Sequence, residues 1–151
     1  MIEIAIDAPF ESLIDPATLE RAAETALQCA GASPDCDLTV VISSDTQLLE
    51  LNRQYLGIDA PTDVLSFQAD ALDPETGRRY LGDVIISYPR AQAQAEAGGH
   101  AMSDELQLLA VHGVLHLLGH DHAAPAEKDK MWALQAEALR RLGCAITFPP
   151  Q

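Results

Sequence analysis

Basic side chains are scarce in this sequence: nine Lys and Arg stand against 23 Asp and Glu, a formal net charge of −14 at pH 7. Proteins that hold nucleic acid through its phosphates usually present basic surface, so overall charge excludes long-range attraction to RNA as an argument. The basic groups that exist are small and scattered. Arg78 with Arg79 and Arg140 with Arg141 form pairs, while Arg21, Arg53 and Arg90 stand apart; all read as solvated surface, Arg140 and Arg141 also suiting the negative end of a helix. Cysteine is sparse too. Cys29, Cys36 and Cys144 are an odd number without a CxxC pair, which excludes a disulfide framework and a thiolate metal site and leaves reduced thiols. No apolar run approaches the ~20 residues of a membrane span. The opening MIEIAIDAPF lacks the basic start and apolar run of a secretory signal, so the expected location is the cytoplasm. With 151 residues, 48% hydrophobic and 21% charged, the chain suits one domain over residues 1–151 with a single buried core.

The order of elements follows from periodicity and punctuation. MIEIAI alternates and is rich in Ile, which predicts a strand; Asp15-Pro16 opens an Ala-rich helix that stops at Gly31. A second strand is expected over residues 38–42. Ser44 or Asp45 then caps a short helix through Tyr55, with Leu48, Leu51 and Tyr55 on one face and Gly57 at its end. PTDVLSF (61–67) and LGDVIIS (81–87) read as strands of a hairpin around the loop ADALDPETGRRY. A helix over 88–97 follows, closed off by Gly98-Gly99. Ser103 is placed to cap the next, whose body from Leu106 to Leu118 is apolar nearly all round and therefore central. Strands interleaved with helices and then helices alone predict an α+β domain: a small mixed sheet packed against helices.

Into that apolar helix are set His112 and His116, four positions apart and so one turn from each other on the same face. The stretch HGVLHLLGHDH (112–122) holds four of the five histidines in the chain. Two imidazoles at this spacing can chelate one metal ion, and His120 or His122 can supply a third nitrogen. Gly119 stands where a helix commonly ends in a left-handed residue, which favours His122 folding back onto the ion from the following loop. Three imidazoles leave a fourth position for water, the mark of a catalytic rather than a structural site. An ion held so acidifies water and offsets charge developing on oxygen; nitrogen ligation suits one zinc ion first, with nickel or another divalent transition metal also possible. Asp121 is read either as a turn former or as an acceptor that orients a ligand imidazole. The HExxH metalloproteases place a glutamate general base directly after the first histidine, and here that position is Gly113, so peptide hydrolysis by that scheme is disfavoured.

HGVLHLLGHDH resembles the signature HGxLHLxGYDH of the YbeY family of bacterial endoribonucleases, differing at His120, where the family usually has tyrosine. PTDVLSF, LGDVIIS and MWALQAEAL in the last helix are also similar to family segments, so the resemblance extends in order from about Leu51 to Leu142. It implies a zincin-like fold with the metal site on a central helix and the loop after it, and zinc held by His112, His116 and His122. It implies a metal-dependent hydrolase of single-stranded RNA, acting in 16S ribosomal RNA maturation and ribosome quality control, with ribosomal RNA and small-subunit ribosome-associated proteins as partners and neither DNA nor membrane. His112 and His116 are then catalytic through the ion. Many members carry an arginine just before the PTDVLSF strand, and the matching position is Leu56, with Ile58 where a lysine is common. Arg53, one turn earlier, either substitutes for that charge or is a surface residue. Thr62, Asp63 and Ser66 could position substrate, or simply cap the strand and face solvent. Water and the ribose 2′-hydroxyl both stay open as the attacking group. An alternative role, consistent with the acidic charge, is a metal-stabilised ribosome-assembly factor with little or no cleavage. Hydrolysis of another substrate, such as a peptide, is a third.

Overall fold

A computed structural model describes residues 1–144 and 146 of the chain. Four strands form one mixed sheet: β1 (Ile2–Ile6), β2 (Cys36–Ser43), β3 (Val64–Leu72) and β4 (Arg79–Ser87), in the spatial order β1-β2-β4-β3. β1 and β2 pair in parallel, as do β2 and β4, while β3 runs antiparallel to β4 and makes one edge. Five α-helices accompany them, α1 (Pro16–Cys29), α2 (Asp45–Leu56), α3 (Tyr88–Gly98), α4 (Met102–Leu117) and α5 (Pro125–Arg141), plus a 3-10 segment, Ala8–Leu13. The expected α+β domain with a small mixed sheet is therefore the observed one. Among the described residues no helix is long and apolar enough to cross a membrane.

Alternation along the strands divides the sheet into two faces. Leu38, Val40, Ile42, Val84 and Ile86 lie on one face at 0–1% exposure, and α4 packs over it between β3, β4, α1, α3 and α5. α2 covers part of the opposite face, where Tyr55 meets Phe67 of β3 edge-on. α4 can sit in the middle because it is apolar all round: Leu109, Val111, Val114 and Leu115 are fully buried. Each such side chain stabilises the fold by roughly 1.5–3 kcal/mol, enough together to carry two imidazoles into the core. Gly113 sets how close this helix comes. A Cβ there would lie 2.4 Å from Val84 Cγ1 and 3.3 Å from Ser66 Oγ, so any side chain would push α4 off the sheet. The absence of a glutamate after the first histidine thus has a packing cause.

Some boundaries differ from the sequence expectation. α4 begins at Met102 with Ala101 as its N-cap residue, not at a Ser103 cap: the Ala101 carbonyl already receives the amides of Asp104 and Glu105, so the first turn closes earlier. The Glu105 carboxylate turns to His100 Nε2 at 2.7 Å. β3 starts at Val64, after Pro61, and continues to Leu72, since Ala71 and Leu72 pair with Tyr80 and Arg79 beyond a register shift. The hairpin loop shrinks to 73–78, closed by Asp73 N–H donating to the Arg78 carbonyl at 2.8 Å. Tyr55 does not share the burial of Leu48; it is 64% exposed, its ring meeting only the edge strand β3 through Phe67.

Candidate metal centre

α4 presents the first two donors as its periodicity requires: the Nε2 atoms of His112 and His116 face each other 3.1 Å apart. The helix then stops at Leu117, with Leu118 as its C-cap residue. Gly119 takes φ +92°, its amide donating to the His116 carbonyl and that of His120 to the Leu115 carbonyl, both at 3.0 Å. That pair of bonds is the Schellman arrangement, which needs a left-handed residue and so favours glycine. Past the turn the chain doubles back and brings His122 to the pair; one ring nitrogen from each of His112, His116 and His122 lies within 4.8 Å of the others. Among the described residues no Asp, Glu or Cys joins this group. His120 lines the same cleft without being one of the three.

The donor set fits a transition-metal ion. Two nitrogens bound tetrahedrally at about 2.0–2.1 Å from zinc would stand about 3.3 Å apart, close to the His112–His116 separation. A ligand imidazole must also be neutral. Burial pushes His112 down to about 4, helped by the neighbouring His116 and His122, and burial likewise lowers His116. Nδ1–H of His112 donates to Gln135 Oε1 at 2.9 Å, which puts the lone pair on Nε2, toward the other two rings. Trp132, on the same face of α5 as Gln135, stacks on His122 with centroids 5.5 Å apart at 15° and on His112 at 5.7 Å and 29°. Exposure falls from His122, open to solvent, through His116 to buried His112, leaving the site accessible on one side.

Asp121 behaves as a turn former: its Oδ1 accepts from the backbone amide of His122 at 2.7 Å. The acceptor on the His112 imidazole is instead Gln135. Its sequence signal is present but faint, a polar residue one turn from Met131 and from Leu139 on the buried face of an amphipathic helix. Gln68 was equally unmarked. From the edge strand its Nε2 donates to the carbonyls of His116 and Leu117, at 3.0 and 3.4 Å, two of the groups a helix end leaves without intrahelical partners.

The histidines open into a cleft of about 590 Å³ between α4 and β3. Thr62, Asp63 and Ser66 all line it. Ser66 Oγ donates to the Gly113 carbonyl at 3.0 Å, Thr62 Oγ1 to the Val64 carbonyl at 3.4 Å, and Asp63 accepts from Gln94 Nε2 at 3.2 Å. Leu56 lines the opposite lip, and among the described residues no Arg or Lys lines the cleft. Arg53 is held elsewhere, paired with Glu50 at 2.5 Å on the exposed side of α2.

With that geometry in hand, known proteins place the chain. The profile of the family described as Endoribonuclease YbeY matches residues 8–143. A protein of that name from Roseiflexus sp. (strain RS-1) is 43% identical over 149 residues, covering 94% of this chain and 92% of the relative. One from Dehalococcoides mccartyi (strain CBDB1) is 38% identical over 153 residues, covering 93% and 92%. The solution structure of a Thermotoga maritima protein superposes with a TM-score of 0.57 at 25% identity, covering 93% of this chain and 91% of that one.

Proposed function

Because the chain belongs to the YbeY family of endoribonucleases, we propose that it is a metal-dependent endoribonuclease of single-stranded RNA that uses zinc. In this reading it matures 16S ribosomal RNA in the cytoplasm and takes part in ribosome quality control. The observation that carries metal dependence is the convergence of three ring nitrogens, one of them buried, beside an open cleft. His112, His116 and His122 would hold the ion. Bound there, it would supply Lewis acidity toward a phosphate oxygen and acidify water.

The chain's own groups do the rest. Gln135 keeps the His112 lone pair on Nε2, Asp121 fixes the backbone from which His122 projects, and Ser66 and Gln68 hold the end of α4 to β3. Ser66 has committed its proton to Gly113, so it meets substrate as an acceptor. Asp63, an acceptor when ionised, suits a ribose hydroxyl and repels a phosphate. These two groups therefore position sugar rather than phosphate.

A second reading follows from the net charge of −14: a metal-stabilised assembly factor that docks on basic small-subunit ribosomal proteins and cuts RNA weakly or not at all. Assaying the purified protein on single-stranded RNA and on casein, each with and without chelator, separates these readings. Chelator-sensitive RNA cuts that disappear in His116→Ala support the nuclease. Full metal content with intact RNA would instead favour the assembly factor, and cut casein would point to a peptidase.

A further inference from the structure

The three imidazoles are not held alike. His112 is buried in α4 and donates to Gln135, and His116 follows one helical turn later on the same rigid segment. His122 has neither support. It lies beyond the end of the helix in an unbroken run of exposed residues, 121–130. The bond from its own amide to Asp121 Oδ1 at 2.7 Å fixes the backbone and leaves the side chain free to turn. Among the described residues no hydrogen bond reaches its ring.

What meets that ring is Trp132. Its indole lies against His122 with centroids 5.5 Å apart and planes 15° from parallel, and reaches on to His112 at 5.7 Å and 29°. The indole itself is anchored. It follows Met131, which is fully buried, and precedes by one turn of α5 the Gln135 side chain that accepts from His112. α5 in turn packs on both α4 and α1. Trp132 is not among the residues lining the cleft, so it backs the donors and does not face what enters. One helix thus meets two donors by two means, a hydrogen bond to the ring borne by α4 and a stack on the ring borne by the loop.

A loop side chain that must point at an ion loses rotational freedom on binding, and a flat surface that already holds the ring removes part of that cost. An imidazole that gives its lone pair to a cation also becomes electron-poor, and the π-face of an indole attracts an electron-poor ring more strongly than a neutral one. The stack should therefore tighten on loading. Resting on the metal-binding part of the reading above, we propose that Trp132 is a positioning residue for the ion: its indole face holds the His122 ring in ligand orientation, so that the loop after Gly119 delivers a third donor already in place. The contribution comes through the π-face and not through bulk, and it acts through His122.

Zinc affinity of the chelator-stripped full chain, measured by competition with chromophoric chelators, is the test. Trp132→Ala should bind zinc about ten-fold more weakly, the low end of what losing a partner of a ligand imidazole costs. Trp132→Phe, which keeps a π-face, should stay within about three-fold of wild type, whereas Trp132→Leu, which keeps apolar bulk alone, should be as weak as the alanine variant. Urea midpoints of the metal-free proteins separate this from lost packing: leucine should restore much of the stability that alanine loses without restoring zinc affinity. In a His122→Ala background, Trp132→Ala should change the remaining affinity little, because the ring it holds is gone. Unchanged affinity in Trp132→Ala, or affinity restored by leucine, overturns the proposal and leaves the metal site standing. An equal loss in the His122→Ala background overturns it too, since the effect would then lie with His112 or with the fold as a whole. A wild-type chain that binds no zinc overturns the metal reading and this inference with it.

Discussion

Gln135 Oε1 receives the Nδ1–H of His112 at 2.9 Å, across 23 residues of sequence. The bond satisfies a polar atom deep in the core, where leaving it unpaired would cost about 1–3 kcal/mol, and it also decides which nitrogen of His112 is free.

Gln135→Leu should therefore weaken metal binding by about ten- to a hundred-fold, the usual penalty for losing such a partner. Gln135→Glu, which keeps an acceptor at the same place, should retain most of the affinity. Competition with a chromophoric chelator measures both. Unchanged affinity in the leucine variant would show that the ring needs no help to orient.

The two candidate third donors should behave oppositely. His122→Ala is expected to reduce the metal content of the purified chain to a small fraction, because it removes one of the three converging nitrogens. His120→Ala should leave it near one ion per chain, since His120 lines the cleft outside that group. Elemental analysis of the two variants decides, and the reverse pattern would move the site.

Gly113→Ala should destabilise the protein although alanine is the better helix former by roughly 1 kcal/mol. The added methyl meets Val84 at 2.4 Å in a fully buried position, and overpacking of this kind costs about 1–3 kcal/mol. A lower urea midpoint is the expected reading, and the loss should shrink in a Val84→Ala background. A rise in midpoint would show that α4 can back away from the sheet.

Acid should weaken the metal-free protein through its histidines. Burial holds His112 down to about 4 and lowers His116, whereas an unfolded chain has imidazoles near ~6.5. As pH falls below about 6.5 the unfolded state takes up protons that the folded state refuses. The stabilisation is thus full above about pH 6.5 and is lost progressively toward about pH 4. Urea midpoints of chelator-treated protein at about pH 7.5, 6 and 5 check this; a midpoint that climbed on acidification would contradict it.

Much of the site's first layer was readable in advance. His112 and His116 at helical spacing, Gly119 as the stop and His122 beyond it all express rules that act within a few residues. The same holds for Asp15-Pro16 opening α1 and Ser44 capping α2, where the Ser44 Oγ accepts from the Gln47 amide at 3.1 Å. Ser103 misled because a cap is decided by where the first helical carbonyl sits, and Ala101 takes that place. Tyr55 misled because helical periodicity says which residues share a face but not how deeply each of them is covered by what packs there.

What the amino-acid order determined by itself is the order of strands and helices and the trio of imidazoles, since periodicity, capping and turn chemistry depend on neighbours along the chain. Tertiary structure alone decided that Gln135 and Trp132 meet those imidazoles, that Gln68 ties the end of α4 to β3, that Arg53 pairs with Glu50, and that Tyr55 packs edge-on against Phe67. Many polar residues on helix faces and strand edges satisfy the same local pattern as these do. Which of them meets a given buried atom depends on how closely α4 approaches the sheet and where α5 crosses it, and that is set by packing between segments far apart in sequence.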